Sequence, residues 1–185
     1  LNQSLIEDLV EDELPQNQTE AYLAQDLMSK QIGQSISGWK VGATSAKMRE
    51  LDGHTDVIPG RIFKSVTYHG RQITLPMERF PRARVETEFA FRLLNDCTVD
   101  QAPWSAEDLT ERVVLHPAIE IIGNRHVLPH GSKEQKSLMT IADNGGGIGF
   151  VFGEAYENWQ DLDFQNHHIQ LSVDGSEPAE NFLGE

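Results

Sequence analysis

Residues Val85–Leu94 read VETEFAFRLL, and from the first position apolar and polar side chains alternate. A period of two is met by an extended strand and by no helix. It puts Val85, Thr87, Phe89, Phe91 and Leu93 on one face, expected to enter a core, and Glu86, Glu88, Ala90 and Arg92 on the other. This strand needs partners, and the surrounding sequence supplies them. From Ser37 onward, short apolar or alternating runs are broken by Gly, Pro and Asp, the texture of strands joined by turns. Strands are expected near Gly38–Gly42, Arg61–Lys64, Arg71–Leu75, Val113–Ile122, Gly149–Gly153 and Ile169–Val173, with a helix near Ser105–Arg112 capped by Ser105.

The N-terminal part has another period. Leu23, Ala24, Leu27, Met28 and Ile32 recur at helical spacing, so a helix is predicted from about Thr19 to Ile32 with Asn17 and Glu20 at its cap. Leu5, Ile6, Leu9 and Val10 fall on one face of an earlier helix, opened by a Ser4 and Glu7 capping box. Leading helices followed by many strands make an α+β protein. The organisation read here is an N-terminal helical segment, 1–36, and a β-rich catalytic domain, 37–185, forming one structural unit. The chain begins at Leu1, so residues are expected to be missing before it, and it runs past Ile169–Val173 without an evident closing element, so either the chain is truncated there or another subunit covers that edge.

Composition excludes several roles. Acidic residues outnumber Lys and Arg by 29 to 15, a formal charge of -14, which repels phosphate backbones and argues against nucleic acid as a partner. No run approaches the roughly 20 apolar residues of a membrane helix. The lone Cys97 cannot form an internal disulfide, and a cytoplasmic protein is expected. Asn2 and Asn17 head glycosylation sequons, read as chance matches.

Two carboxylates at alternate positions of one strand repel when both are ionised. Glu86 and Glu88 therefore lie either on a solvated face or around a cation. Glu120 sits within Pro117-Ala118-Ile119-Glu120-Ile121-Ile122, and burying such a carboxylate unpaired would cost several kcal/mol. A metal would justify its burial, and three carboxylates are hard oxygen donors that suit Mg²⁺ or Mn²⁺ better than zinc or copper. Lys40, between Gly38 and Gly42, is either a solvated strand lysine or a group near a ligand. The glycine run Gly145–Gly147 lacks the Gly-Lys-Ser/Thr of a nucleotide loop and is read as a turn entering a strand, with Asp143 and Asn144 in an Asx-turn or at a ligand. Arg125 either grips a substrate carboxylate with its fork or pairs with a surface acid; the adjacent His167 and His168 point to opposite faces and cannot share an ion.

Four blocks in order, GWKVGATS (Gly38–Ser45), PRARVETEFAF (Pro81–Phe91), HPAIEIIGNR (His116–Arg125) and IADNGGGIGFVFG (Ile141–Gly153), resemble the 2-oxopent-4-enoate hydratase and 4-oxalocrotonate decarboxylase family of the fumarylacetoacetate hydrolase superfamily. Glu20-Ala21-Tyr22 resembles a further segment near that family's N-terminus. The resemblance implies a mixed-sheet catalytic fold, here expected to lack C-terminal strands. It implies a metal on Glu86, Glu88 and Glu120, with Mg²⁺ or Mn²⁺ as cofactor. It also implies Lys40 in proton transfer or substrate binding, Asp143 as a further catalytic group, and Asn144 and Arg125 at the substrate. The implied reaction is hydration of a 2-hydroxy-2,4-dienoate to a 4-hydroxy-2-oxo acid in aromatic catabolism. The alternatives are a 4-oxalocrotonate-type decarboxylase, an acylpyruvate hydrolase, and an inactive or truncated homologue serving as a partner subunit. The expected partners are a small 2-oxo acid and further subunits, as a homo-oligomer or with a related hydratase or decarboxylase.

Overall fold

The computed structural model describes residues 5–6, 9–80, 82–128, 130–177 and 179–183. Its helices are α1 (Gln18–Ile32), α2 (Ala46–Asp52), α3 (Ala106–Thr110) and α4 (Lys133–Ala142). The strands are β1 (Ile36–Gly42), β2 (Ile58–Phe63), β3 (Thr67–His69), β4 (Arg84–Leu93), β5 (Val113–Ile122), β6 (Gly147–Phe152), β7 (His168–Leu171) and β8 (Ala179–Leu183). They form an antiparallel pair β1-β2, a four-stranded sheet in the order β3-β6-β5-β4, and an antiparallel pair β7-β8. The α+β class read from the sequence holds. No described helix is long and apolar enough to cross a membrane.

Contacts divide the chain into two compact units. The first comprises Leu1–Tyr68, Thr74–Glu86 and Glu120–Phe150, the second His69–Ile73, Thr87–Ile119 and Val151–Glu185, so β4 and β5 each contribute to both. In the first unit, Ala21 of α1, Ile58 of β2 and Leu138 and Ile141 of α4 are buried together. Gln25 fastens the same elements: its Nε2 donates to Ile141 O at 2.8 Å and Pro59 O at 3.2 Å, and its Oε1 accepts from Arg61 at 2.6 Å. In the second unit Phe91 and Trp159 meet edge to face, 5.2 Å between centroids, and Phe164 packs on Phe89 at 5.0 Å. His116 is held at both ring nitrogens, by Gly153 O at 2.9 Å and Arg92 Nε at 3.3 Å.

Several expectations change. Leu5, Ile6, Leu9 and Val10 are not helical; Ile6 pairs in parallel with His126, its N–H donating to Arg125 O at 2.8 Å. Backbone pairing has overridden the helical period there. Ser4 and Glu7, the expected capping box, and Asn2 lie outside the described residues. The segment Arg71–Leu75 is irregular, and the strand lies upstream at β3. The stretch after β7 is not left unpaired, because β8 hydrogen-bonds to β7. On β4 the apolar face is only partly covered: Val85, Phe91 and Leu93 are 41%, 48% and 51% exposed. The strand order explains this, since β4 is an edge with a neighbour on one side only.

Two helices went unread. α2 begins at Ser45, whose side chain accepts from Met48 N, and α4 begins at Ser132, which forms a full capping box with Gln135. Ser132-x-x-Gln135 was legible as a helix start.

Candidate functional site

Antiparallel pairing of β1 with β2 sets Lys40 opposite Gly60. Three glycines then leave a corridor for the lysine stem. A Cβ on Gly60 would stand 2.3 Å from Asn144 O and 3.3 Å from Lys40 Cε, one on Gly145 2.8 Å from Lys40 Cε, and one on Gly147 2.8 Å from Glu120 Oε1. Gly145 also has φ +66°, a region that glycine enters without a Cβ penalty. These positions accept no larger residue without displacing Lys40, Glu120 or backbone.

The corridor delivers Lys40 Nζ to 3.5 Å from Glu120 Oε1, with both residues at most a tenth exposed. Glu120 comes from β5, an interior strand of the sheet, which accounts for its burial amid apolar neighbours. Glu86 and Glu88 come from the adjacent strand β4, on one face as their spacing requires. Glu86, Glu88 and Glu120 each present a carboxylate oxygen, and these three atoms lie within 4.8 Å of one another. Exposure falls from Glu86 through Glu88 to the buried Glu120.

This donor set fits a divalent cation on two counts. Three carboxylates and one ammonium leave a formal charge of -2, which a dication cancels. Oxygens sharing an octahedral ion at about 2.1 Å lie no more than about 4.2 Å apart, and those around a calcium ion at about 2.5 Å no more than about 5 Å. The observed spread already admits the larger ion, and a contraction of well under about 1 Å admits Mg²⁺. Nitrogen or sulfur donors are absent from the set, which disfavours zinc.

Two cavities adjoin these residues. One is a gap of about 10 Å³ touched by Lys40, Glu120 and Arg125, room for about one water and too small for a carboxylate. The other is a cleft of about 350 Å³, within the range of small-molecule sites, which reaches Lys40 and Glu86. Of the two, only the cleft is large enough for a small-molecule ligand, and it meets the triad at Glu86. Its wall also includes Arg84, Lys133, Lys136 and His54, none of which the sequence reading had singled out. His54 Nδ1 and Ser137 Oγ are 2.6 Å apart, and burial lowers the histidine below its ordinary pKa, as does nearby Lys40, against an opposing pull from Asp52.

Here the site has the fold of a known enzyme. It is the fold of 4-oxalocrotonate decarboxylase. The whole chain superposes on 68% of the enzyme from Pseudomonas putida G7 complexed with magnesium and adipate, with a TM-score of 0.77 and 19% identity. The same enzyme complexed with calcium and acetate gives a TM-score of 0.71 at the same identity and coverage. No protein-family model matches the sequence, and no curated protein does. The likeness is thus one of fold, the mixed-sheet fumarylacetoacetate hydrolase architecture that the sequence blocks implied.

Asp143 and Asn144 line neither cavity. Asn144 is fully buried, and its amide clasps the backbone of Arg61, accepting from Arg61 N at 2.7 Å and donating to Arg61 O at 2.8 Å. Asp143 accepts from Arg125 N at 2.8 Å and is ion-paired with the Arg125 guanidinium. His126 Nδ1 lies 3.3 Å from its other oxygen, without the alignment of a hydrogen bond. Burial alone would raise the Asp143 pKa, but His126 and Arg125 together hold it below the ordinary carboxylate value.

A depressed folded-state pKa contributes stability that is complete above the unfolded value, near 4, and lost as pH falls through the lower folded value. Asp143→Asn, which leaves Arg125 with an uncompensated charge, is expected to cost about 3 kcal/mol at pH 7. In urea titrations the gap from wild type should narrow as pH falls below about 4. A gap that does not vary with pH would show that the carboxylate charge is immaterial.

Proposed function

We propose that this chain carries the catalytic site of a divalent-metal-dependent enzyme for small 2-oxo acids, and that its reaction is decarboxylation of a conjugated 2-oxo acid bearing a second carboxylate. The observation that carries the reading is the triad Glu86, Glu88 and Glu120 beside buried Lys40, with a ligand-sized cleft lined by Lys40 and Glu86. The likeness in fold to 4-oxalocrotonate decarboxylase favours loss of carbon dioxide over addition of water.

Glu86, Glu88 and Glu120 would hold a divalent cation, which would supply an electrophile to polarise the 2-oxo group. The bond to the distal carboxylate breaks, its electron pair moves through the conjugated double bond, and negative charge collects on the 2-oxygen as carbon dioxide departs. Lys40 is the group of this chain suited to that charge. Its Nζ, held beside Glu120, offers a positive charge and a proton to the 2-oxygen. The product is a dienol. Arg125, fixed by Asp143, lines the small gap together with Lys40 and Glu120, so we assign both to positioning. Asn144 holds β2, and with it Gly60, against the lysine stem.

The test is release of carbon dioxide from 2-oxo-3-hexenedioate with Mg²⁺ or Mn²⁺ and again after chelation. Metal-dependent release is expected. A protein that leaves this substrate untouched but consumes 2-hydroxypenta-2,4-dienoate with the same metal dependence would be a hydratase, and failure on both would overturn the reading.

A further inference from the structure

The charge on the cleft wall runs against the charge of the chain. Among its lining residues are four basic side chains, Lys40, Arg84, Lys133 and Lys136, against the two carboxylates of Asp52 and Glu86, whereas acids outnumber bases by 29 to 15 in the whole sequence. One of the four, Lys40, and one of the acids, Glu86, belong to the metal end. The remaining Arg84, Lys133 and Lys136 are exposed, and among the described residues no ion pair joins them to a carboxylate. In so acidic a chain, three unpaired bases facing one cleft are a concentration of positive potential where a substrate enters.

The two lysines are presented by the fold. α4 buries Ser137, Leu138, Met139 and Ile141, and helical spacing puts Lys133, Lys136 and Thr140 together on another face, the one that meets the cleft. The helix start is fixed by the Ser132 and Gln135 capping box. The C-terminal end of α2 is packed against the first lysine, since a Cβ on Gly53 would stand 2.9 Å from Lys133 Cβ. The Lys133 stem is thereby positioned at its base, while both lysines remain exposed. Arg84 shares its strand face with Glu86, two residues on, and both line the cleft.

We infer that Lys133, Lys136 and Arg84 form the subsite for the far carboxylate of the substrate and select dianionic 2-oxo acids over monoanionic ones of the same length. The inference rests on the function proposed above, which places the 2-oxo end at the glutamate triad. Solvated ammonium groups bind a carboxylate weakly, so they favour capture of the dianion while holding its departing group loosely.

The probes are 2-oxoadipate and 2-oxohexanoate, which differ only in the far carboxylate and contain no conjugated bond through which to react. Each is titrated by calorimetry into wild-type protein with Mg²⁺. A preference of about 10-fold for 2-oxoadipate is expected, shrinking at 0.5 M salt, roughly where exposed charges are screened. Lys133→Ala/Lys136→Ala should bring the ratio to about one, whereas Lys47→Ala, on α2 and away from the cleft, should leave it as in wild type. Equal affinities in wild type, or a preference that survives the double substitution, would overturn the subsite while leaving the metal-end reading intact. Failure of both probes to bind would overturn the metal-end reading, and the subsite with it.

Discussion

Glu120→Gln is expected to weaken Mg²⁺ and Mn²⁺ binding, measured by calorimetry, by more than about 100-fold, beyond what loss of a ligand's own hydrogen-bond partner costs. Glutamine keeps the volume and the polar end, so the change isolates the charge and the donor. It also cuts the formal charge of the cluster from -2 to -1, halving what a dication has to neutralise. Glu120 should matter most of the three, because it is the buried one, where water screens its charge least. Glu86→Gln acts on the same ion from the exposed side and should weaken binding too, by less than Glu120→Gln. Glu111→Gln is the control, an exposed carboxylate at the C-terminal cap of α3, and should bind as wild type does. Equal behaviour of all three variants would refute the site.

Lys40→Met should leave the metal in place and remove the chemistry. General acid catalysis by a positioned side chain is worth about 10²–10⁴-fold, so kcat is expected to fall by about 10³-fold. Metal affinity should hold or rise, since the variant removes a positive charge 3.5 Å from Glu120. That opposite movement of the two quantities separates a chemical role from a structural one. Lys40→Arg is not expected to rescue turnover, because Gly60 and Gly145 are closed against the stem at Cε and the adjoining gap holds only about 10 Å³. Activity of Lys40→Met within a few-fold of wild type would place proton transfer on another group.

What could be read from sequence follows from where each signal is local. β5 spans Val113–Ile122 as its sequence predicts, because an interior strand buries both faces and leaves a largely apolar run, broken here by His116, Pro117 and Glu120. α1 was legible from its cap at Asn17 and its helical period. The triad was legible by residue type, and its closure to 4.8 Å depends on β4 lying beside β5, which no local pattern states. The segment around Ile6 misled because a helical period is only a preference, and a backbone bridge to His126 outweighed it. Arg84, Lys133 and Lys136 read as ordinary surface bases. Their shared cleft brings together α2, β4 and α4, elements distant in sequence. Asp143 and Asn144 were noticed for their position in the glycine block, and the fold uses them to hold Arg125 and β2 in place.

The central claim, a cation on these three glutamates, is tested most directly by anomalous diffraction from crystals grown with Mn²⁺. The account predicts one peak with an oxygen of each of Glu86, Glu88 and Glu120 at about 2.2 Å, and with Lys40 outside bonding distance. A strong peak elsewhere, with none among these carboxylates, would contradict it.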